Sequence, residues 1–226
     1  STMITCLETQ LVHKPETLSF EEASTLPVVV ITMLAAFEKA QLQRGESILI
    51  QTATGGTGLI AVQLAKYYGA EIYATAGSQE KLDYLDKLKI SHLINYREID
   101  FEEKIKQLTN GRGIDVIINT LSGDAIQKGI NCLAPGGRYI EIAMTALKSA
   151  HSINLSALNN NQNFNSIDLR KLGLEKPEIF KKYYNEMLQL LGKNVIKPTI
   201  CKTFSFNKIK EAYQFLENRK NIGKVV

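Results

Sequence analysis

Between Ile48 and Lys81 the chain reads ILIQTATGGTGLIAVQLAKYYGAEIYATAGSQEK. An apolar strand runs into a loop with three glycines, an apolar helix follows, and a second strand closes the unit. The same rhythm continues downstream. Strands are expected at 47–52, 71–76, 91–96, 115–121 and 138–143, with helices at 79–89, 101–108 and 125–133 between them. The stretch DVIINTL (115–121) is almost continuously apolar, as a strand buried on both faces of a parallel sheet must be. Strands alternating with helices of about 10 residues make βαβ units. The fold class is therefore α/β, with a doubly wound parallel Rossmann sheet.

The flanks are less regular. Ser19 precedes Glu22 by three residues, the spacing of a capping box, and Pro27 separates that short helix from a buried one over 28–37. Pro135-Gly136-Gly137 is expected to stop a helix before the fifth strand. The asparagine-rich 153–166 reads as loop plus a short strand, followed by a helix at 177–191. The end reads as strand, helix 207–218, a turn at Gly223 and a last strand.

Totals narrow the function classes. The 226 residues, 44% hydrophobic and 22% charged, suit one large domain or two small ones. A net charge of +4 comes from 27 basic and 23 acidic residues without a basic block, and there is no Trp. Nucleic acid and membrane surfaces are therefore not the expected partners, although a diffuse positive excess favours anionic ligands. No apolar run reaches the length of a membrane span and no signal peptide is visible. Cys6, Cys132 and Cys201, like His13, His92 and His151, are scattered. They give neither a disulfide framework nor metal-ligand spacing, so a reducing, cytoplasmic setting and no metal are expected. The opening Ser1-Thr2-Met3 fits either a piece of a longer chain or a processed tag.

Gly55, Gly56, Thr57 and Gly58 sit where a strand turns into a helix. Glycines there let backbone approach a pyrophosphate, and the helix N-terminus offers unpaired amides. The string is not a literal GxGxxG, and ligand-free glycine turns are common; the βαβ context is what turns it into a dinucleotide loop. The second strand ends Ala74-Thr75-Ala76-Gly77-Ser78, with Lys81 beyond and no carboxylate at the tip. A ribose 2′-hydroxyl is normally met by an acid there, whereas a hydroxyl and an ammonium suit a 2′-phosphate, so NADPH is expected over NADH. The competing reading has Ser78 capping the next helix and Lys81 solvated.

The segments LSFEEASTLP, GESILIQTATGGTGLIAVQLAKYYGAEIYATAGS, GRGIDVIINTLSG, LAPGGRYIEI and NRKNIGKVV together resemble zinc-independent medium-chain reductases. The likeness is strongest to the enoyl reductase domains of modular polyketide synthases and animal fatty acid synthases, with quinone oxidoreductases more distant. It spans nearly the whole chain in order. The resemblance implies remnants of a GroES-like substrate domain at both ends, at 1–22 and 193–226, around a dinucleotide-binding domain at 23–192. It implies hydride addition from NADPH to the β-carbon of an enoyl thioester on an acyl carrier protein, neighbouring synthase domains, and a monomer or homodimer.

By the same resemblance, Gly55, Gly56 and Gly58 line the pyrophosphate, Ser78 and Lys81 meet the 2′-phosphate, and Tyr96 and Arg97 stand near the adenosine end. Asn119, Leu121 and the turn Ile142, Ala143, Met144 lie beside the nicotinamide ribose, with Thr32 on the nicotinamide side. Asn119 as a strand-end cap and Arg97 as a surface charge are the plainer readings. Two departures stand out. The family's substrate domain is built mainly from residues preceding this start. Where many members carry a proton-donating Lys after the fifth strand, this chain has Met144, and a thioether has no proton to give. Lys148 and Asp168 are the remaining candidate acids, Asp168 competing with a role as helix cap or ion-pair partner. A weak donor leaves three alternatives: protonation by water, closure of the enolate to a cyclopropane, or a non-catalytic scaffold. A freestanding quinone or enone reductase is a further reading.

Overall fold

The computed structural model describes residue 3, residues 5–144 and residues 152–226. Two N-terminal helices, α1 (Phe20–Thr25) and α2 (Pro27–Ala40), precede β1 (Ser47–Ile50). The alternation then runs α3 (Gly56–Tyr68), β2 (Glu71–Ala76), α4 (Gln79–Lys87), β3 (His92–Asn95), α5 (Phe101–Leu108), β4 (Ile114–Asn119), α6 (Ala125–Asn131) and β5 (Leu133–Glu141). Beyond it lie β6 (Asn163–Ser166), α7 (Leu169–Glu175), α8 (Pro177–Gly192), β7 (Ile200–Lys202), α9 (Ile209–Glu217) and β8 (Lys224–Val225).

The large sheet has the order β3-β2-β1-β4-β5-β6 with every pair parallel, while β7 and β8 form a separate parallel pair. This is the doubly wound Rossmann order, whose strand sequence reverses between β1 and β4. β1 and β4 are buried along their whole length because helices cover both faces. One face packs Ile48, Ile50, Val116 and Ile118 against α2, α3 and α8. The other packs Leu49, Ile117 and Tyr139 against Phe101 and Ile105 of α5 and Ile126 and Ile130 of α6.

Local chemistry sets the entries. Ser19 Oγ accepts from Glu22 N at 3.1 Å while Glu22 Oε2 accepts from Ser19 N at 2.8 Å, completing the capping box. Pro27 opens α2 at its first turn, where its missing N–H is harmless. Two features differ from the sequence reading. Pro135-Gly136-Gly137 does not lie between α6 and the sheet but inside β5, where the register against β4 shifts and Gly136 adopts φ +72°. The strand therefore starts at Leu133, earlier than 138. The polar stretch before 177 also hides α7, capped by Asp168.

Candidate functional site

At the carboxyl ends of β1, β2, β3 and β4 lies a cleft of about 440 Å³, at the switch point of the strand order. Thr54 and Gly55 form one wall, Ser78, Lys81, Tyr96 and Arg97 another, and Asn218 to Asn221 close it from the C-terminal side. Gly55 caps α3 with φ −69° and ψ 164°, so the first amides of a 13-residue helix open beside the cleft. Gly58 is required by packing: a Cβ there would stand 2.7 Å from Ala53 Cα and from Thr52 O. Gly56 lies against the Lys224 side chain. Thr57 is half-buried in the first turn of α3.

The C-terminal segment is tied to this loop. Gly223 N donates to Thr54 O at 2.8 Å and Gly223 bridges Gly55. Lys81 Nζ donates to Arg219 O at 2.7 Å. Burial, then Arg97, with Arg219 adding a little, holds the Lys81 ammonium below its ordinary pKa, against a smaller pull from Glu80. Lys81, Arg97 and Arg219 all line the cleft at the tips of β2 and β3, and a cation held below its ordinary pKa is one that an anion would stabilise. Arg219 and Lys220 escaped the residue-level reading, although NRKNIGK was visible as a motif; what was missing was knowledge that this segment returns to the β2 tip. Glu80 also lines the cleft, so the site is not free of carboxylate.

Ser78 occupies the N-cap position of α4 but makes no capping hydrogen bond. Gly77 gives room at the same corner: a Cβ would meet Tyr96 Oη at 2.9 Å and Arg97 Nε at 3.0 Å. Tyr96, Leu121 and Ser122 also line an adjoining hollow of about 290 Å³ with Phe101 and Asp124.

At the expected nicotinamide end, Asn119, Leu121 and Ala143 are tied together through Glu141. Asn119 is fully buried; its Nδ2 donates to Leu121 O and to Glu141 Oε2, both at 2.8 Å, and its Oδ1 accepts from Leu121 N at 3.2 Å. Leu121 reaches the cleft and Asn119 holds it there. Ile142 N donates to Asn119 O at 3.2 Å, and Ala143 N to Glu141 Oε1 at 2.7 Å. Thr32 spends its hydroxyl on Val28 O of its own helix, at 2.6 Å, and is not among the cleft-lining residues.

Met144 and Asp168 come together in a second cavity of about 460 Å³, between α2, α7 and α8 beside the ends of β5 and β6. Asp168 Oδ1 accepts from Lys171 N at 3.1 Å as the cap of α7. Lys148 lies outside the described residues. Among the described residues no group of three or more His, Cys, Asp and Glu side chains is placed to hold a metal ion, and no helix is long and apolar enough to cross a membrane.

A family model described as zinc-binding dehydrogenase matches residues 56–191. The nucleotide-binding subdomain of the enoylreductase domain of PpsC from Mycobacterium tuberculosis is 37% identical, with a TM-score of 0.71, over 76% of this chain and 96% of that one. The chain belongs to this family, the enoyl reductase domains of polyketide synthases. The JamJ enoyl reductase (apo form) superposes with a TM-score of 0.89 at 34% identity, over 97% of this enoyl reductase chain and 66% of its own. Highly-reducing polyketide synthase 1 of Aureobasidium melanogenum is 36% identical over 100% of the chain, which spans only about 10% of that synthase.

Proposed function

We propose that this chain is the cofactor-binding part of an NADPH-dependent enoyl reductase that saturates the α,β double bond of a thioester carried on an acyl carrier protein, within a cytoplasmic polyketide synthase. The observation that carries the reading is the cleft at the strand switch point, with a glycine-capped helix N-terminus on one side and Lys81, Arg97 and Arg219 on the other. The shape fits a dinucleotide phosphate: Gly58 lets α3 press onto the loop, and Lys81, Arg97 and Arg219 line the side where a 2′-phosphate would stand.

In this reading Gly55, Gly56, Thr57 and Gly58 hold the pyrophosphate through backbone amides. Ser78, Lys81, Arg97 and Arg219 hold the 2′-phosphate, Tyr96 bounds the adenosine end, and Leu121, held by Asn119, lies beside the nicotinamide ribose. The Ile142–Met144 turn and Thr32 lie toward the nicotinamide. NADPH, when bound, supplies the hydride for the β-carbon. The chain's own part in that step is orientation, which can remove about 7–11 kcal/mol of such a barrier. Met144 has no proton to offer, so protonation at the α-carbon falls to Lys148, to Asp168, whose Oδ1 accepts from Lys171 N as the cap of α7, or to water. The partners are the carrier protein, neighbouring synthase domains and, where the synthase is paired, a second copy.

The experiment is cofactor oxidation, followed by loss of absorbance, with an α,β-unsaturated pantetheine thioester and with a quinone. It is run on the longest natural polypeptide that carries this chain. Turnover of the thioester well above the quinone supports the proposal; turnover of the quinone alone overturns it in favour of a quinone reductase.

A further inference from the structure

Glu141 ends β5 with no exposed surface, yet it is a carboxylic acid. Among the described residues it takes part in no ion pair. Its partners are neutral donors on both oxygens. Oε2 accepts from Asn119 Nδ2 at 2.8 Å and from Tyr139 Oη at 3.4 Å; Oε1 accepts from Ala143 N at 2.7 Å. Burial pushes the carboxyl upward, and the Asn119 and Ala143 donors pull it part of the way back. A group this costly to bury, held by Tyr139 of its own strand and by Asn119 and Ala143 at the edges of two different loops, asks for a reason.

The reason lies in what those loops carry. Asn119 clamps Leu121 through both its N–H and its carbonyl, and Leu121 and Ser122 line the cofactor cleft. Ala143 precedes Met144, which lines the cavity it shares with Asp168. One carboxylate therefore joins the loop of the cleft to the turn of the neighbouring cavity. The same edge of the sheet continues the pattern with Thr75 Oγ1 donating to the buried Gln51 Oε1 at 2.6 Å. Resting on the cofactor reading above, we infer that Glu141 is a positioning residue: it fixes the spacing between the 119–122 loop and the 142–144 turn, and so the nicotinamide end of the bound cofactor.

The hydrogen-bond inventory makes this testable. In Glu141→Gln one acceptor oxygen becomes an NH2 group. If the remaining oxygen faces Ala143 N, the new donor meets Asn119 Nδ2; if it turns the other way, the donor meets Ala143 N. Either loop must then move.

NADPH affinity is measured by the reduced cofactor's emission, beside thermal melting. Glu141→Gln is expected to weaken NADPH at least tenfold, and in amide exchange NADPH should slow Leu121 N–H and Ala143 N–H together in the unchanged chain but not in the variant. A Glu141→Gln chain that binds like the unchanged chain, or in which NADPH slows both amides as before, overturns the inference. Should the variant fail to fold, amide exchange in the unchanged chain decides, and slowing at one of the two amides alone overturns it. If the unchanged chain binds no nicotinamide dinucleotide, the cofactor reading fails and this inference with it. If it binds and Glu141→Gln is silent, only this inference fails.

Discussion

Gly58→Ala probes the contact on which the cofactor loop depends. The added methyl carbon would sit 2.7 Å from Ala53 Cα and Thr52 O and 2.8 Å from Ala53 C. All three are backbone atoms, so no rotamer change relieves the overlap. Ordinary contact begins at 3.4 Å, and the loop or the first turn of α3 must retreat by about 0.7 Å, the difference between 3.4 and 2.7 Å. Overpacking of this kind costs about 1–3 kcal/mol. Alanine returns up to about 1 kcal/mol of helix propensity, less in a first turn. The expected net loss is about 1–2 kcal/mol, a fall in Tm of roughly 2–8 °C for a chain of this size. The same retreat opens the Thr54–Gly55 wall, so NADPH affinity should fall by about tenfold or more, about 1.4 kcal/mol.

Gly55→Ala is the control. Its φ of −69° suits any residue and its Cβ would lie 3.4 Å from Thr52 O. Tm should stay within about 0.5 kcal/mol of the original in stability terms, while the methyl group on the cleft wall weakens NADPH. Circular dichroism melts and emission titrations on both variants give the answer. A Gly58→Ala chain with unchanged Tm and unchanged affinity would refute the packing argument.

Three further outcomes are expected. Lys81→Ala and Arg219→Ala should each weaken NADPH by about tenfold, the scale of one charged hydrogen bond, and leave NADH within about twofold, read from paired titrations. Arg138 holds Glu46 with two bonds, Nη1 to Oε1 at 2.9 Å and Nη2 to Oε2 at 2.6 Å, and this keeps the Glu46 carboxyl below its ordinary range against the effect of burial. A depressed carboxyl stabilises above its unfolded pKa and loses that contribution as pH falls through the folded value. Arg138→Met should therefore cost about 1–3 kcal/mol at neutral pH, with the gap to the unchanged chain narrowing below about pH 4, measured by urea melts across pH. Burial pushes the Cys132 thiol up to about 12, while Cys6 and Cys201 are exposed. A thiol reagent should therefore titrate those two in the native chain and Cys132 only after denaturation.

Much of the fold was legible because its signals are local. The β2 strand at Glu71–Ala76 and α5 at Phe101–Leu108 match their sequence reading to the residue, since alternation, Asp100 at the cap and Asn110-Gly111 at the end mark them. Pro135-Gly136-Gly137 misled because a register shift can place such residues inside a strand, and that depends on the neighbouring β4, not on the string. The short α7 lacks a long apolar period and is held by its Asp168 cap and by Gly173 lying against Phe180 of α8. At the cleft, the glycines and Lys81 could be read from strand order. Arg219, 138 residues from Lys81, could not, because only the docking of Gly223 on Thr54 brings it there. Asn119 was read as a ligand contact or a strand-end cap; its amide bonds Leu121 nearby and Glu141, 22 residues away, and the second partner is one that local spacing does not reveal.

The most direct test of the central claim is a side-by-side titration of the chain with NADPH and NADH, following the emission of the reduced cofactor. The cleft at Lys81, Arg97 and Arg219 calls for NADPH to bind at least tenfold more tightly, about 1.4 kcal/mol. Equal affinities would contradict a phosphate between those cations, and binding of neither would mean that the glycine loop of this chain holds no dinucleotide.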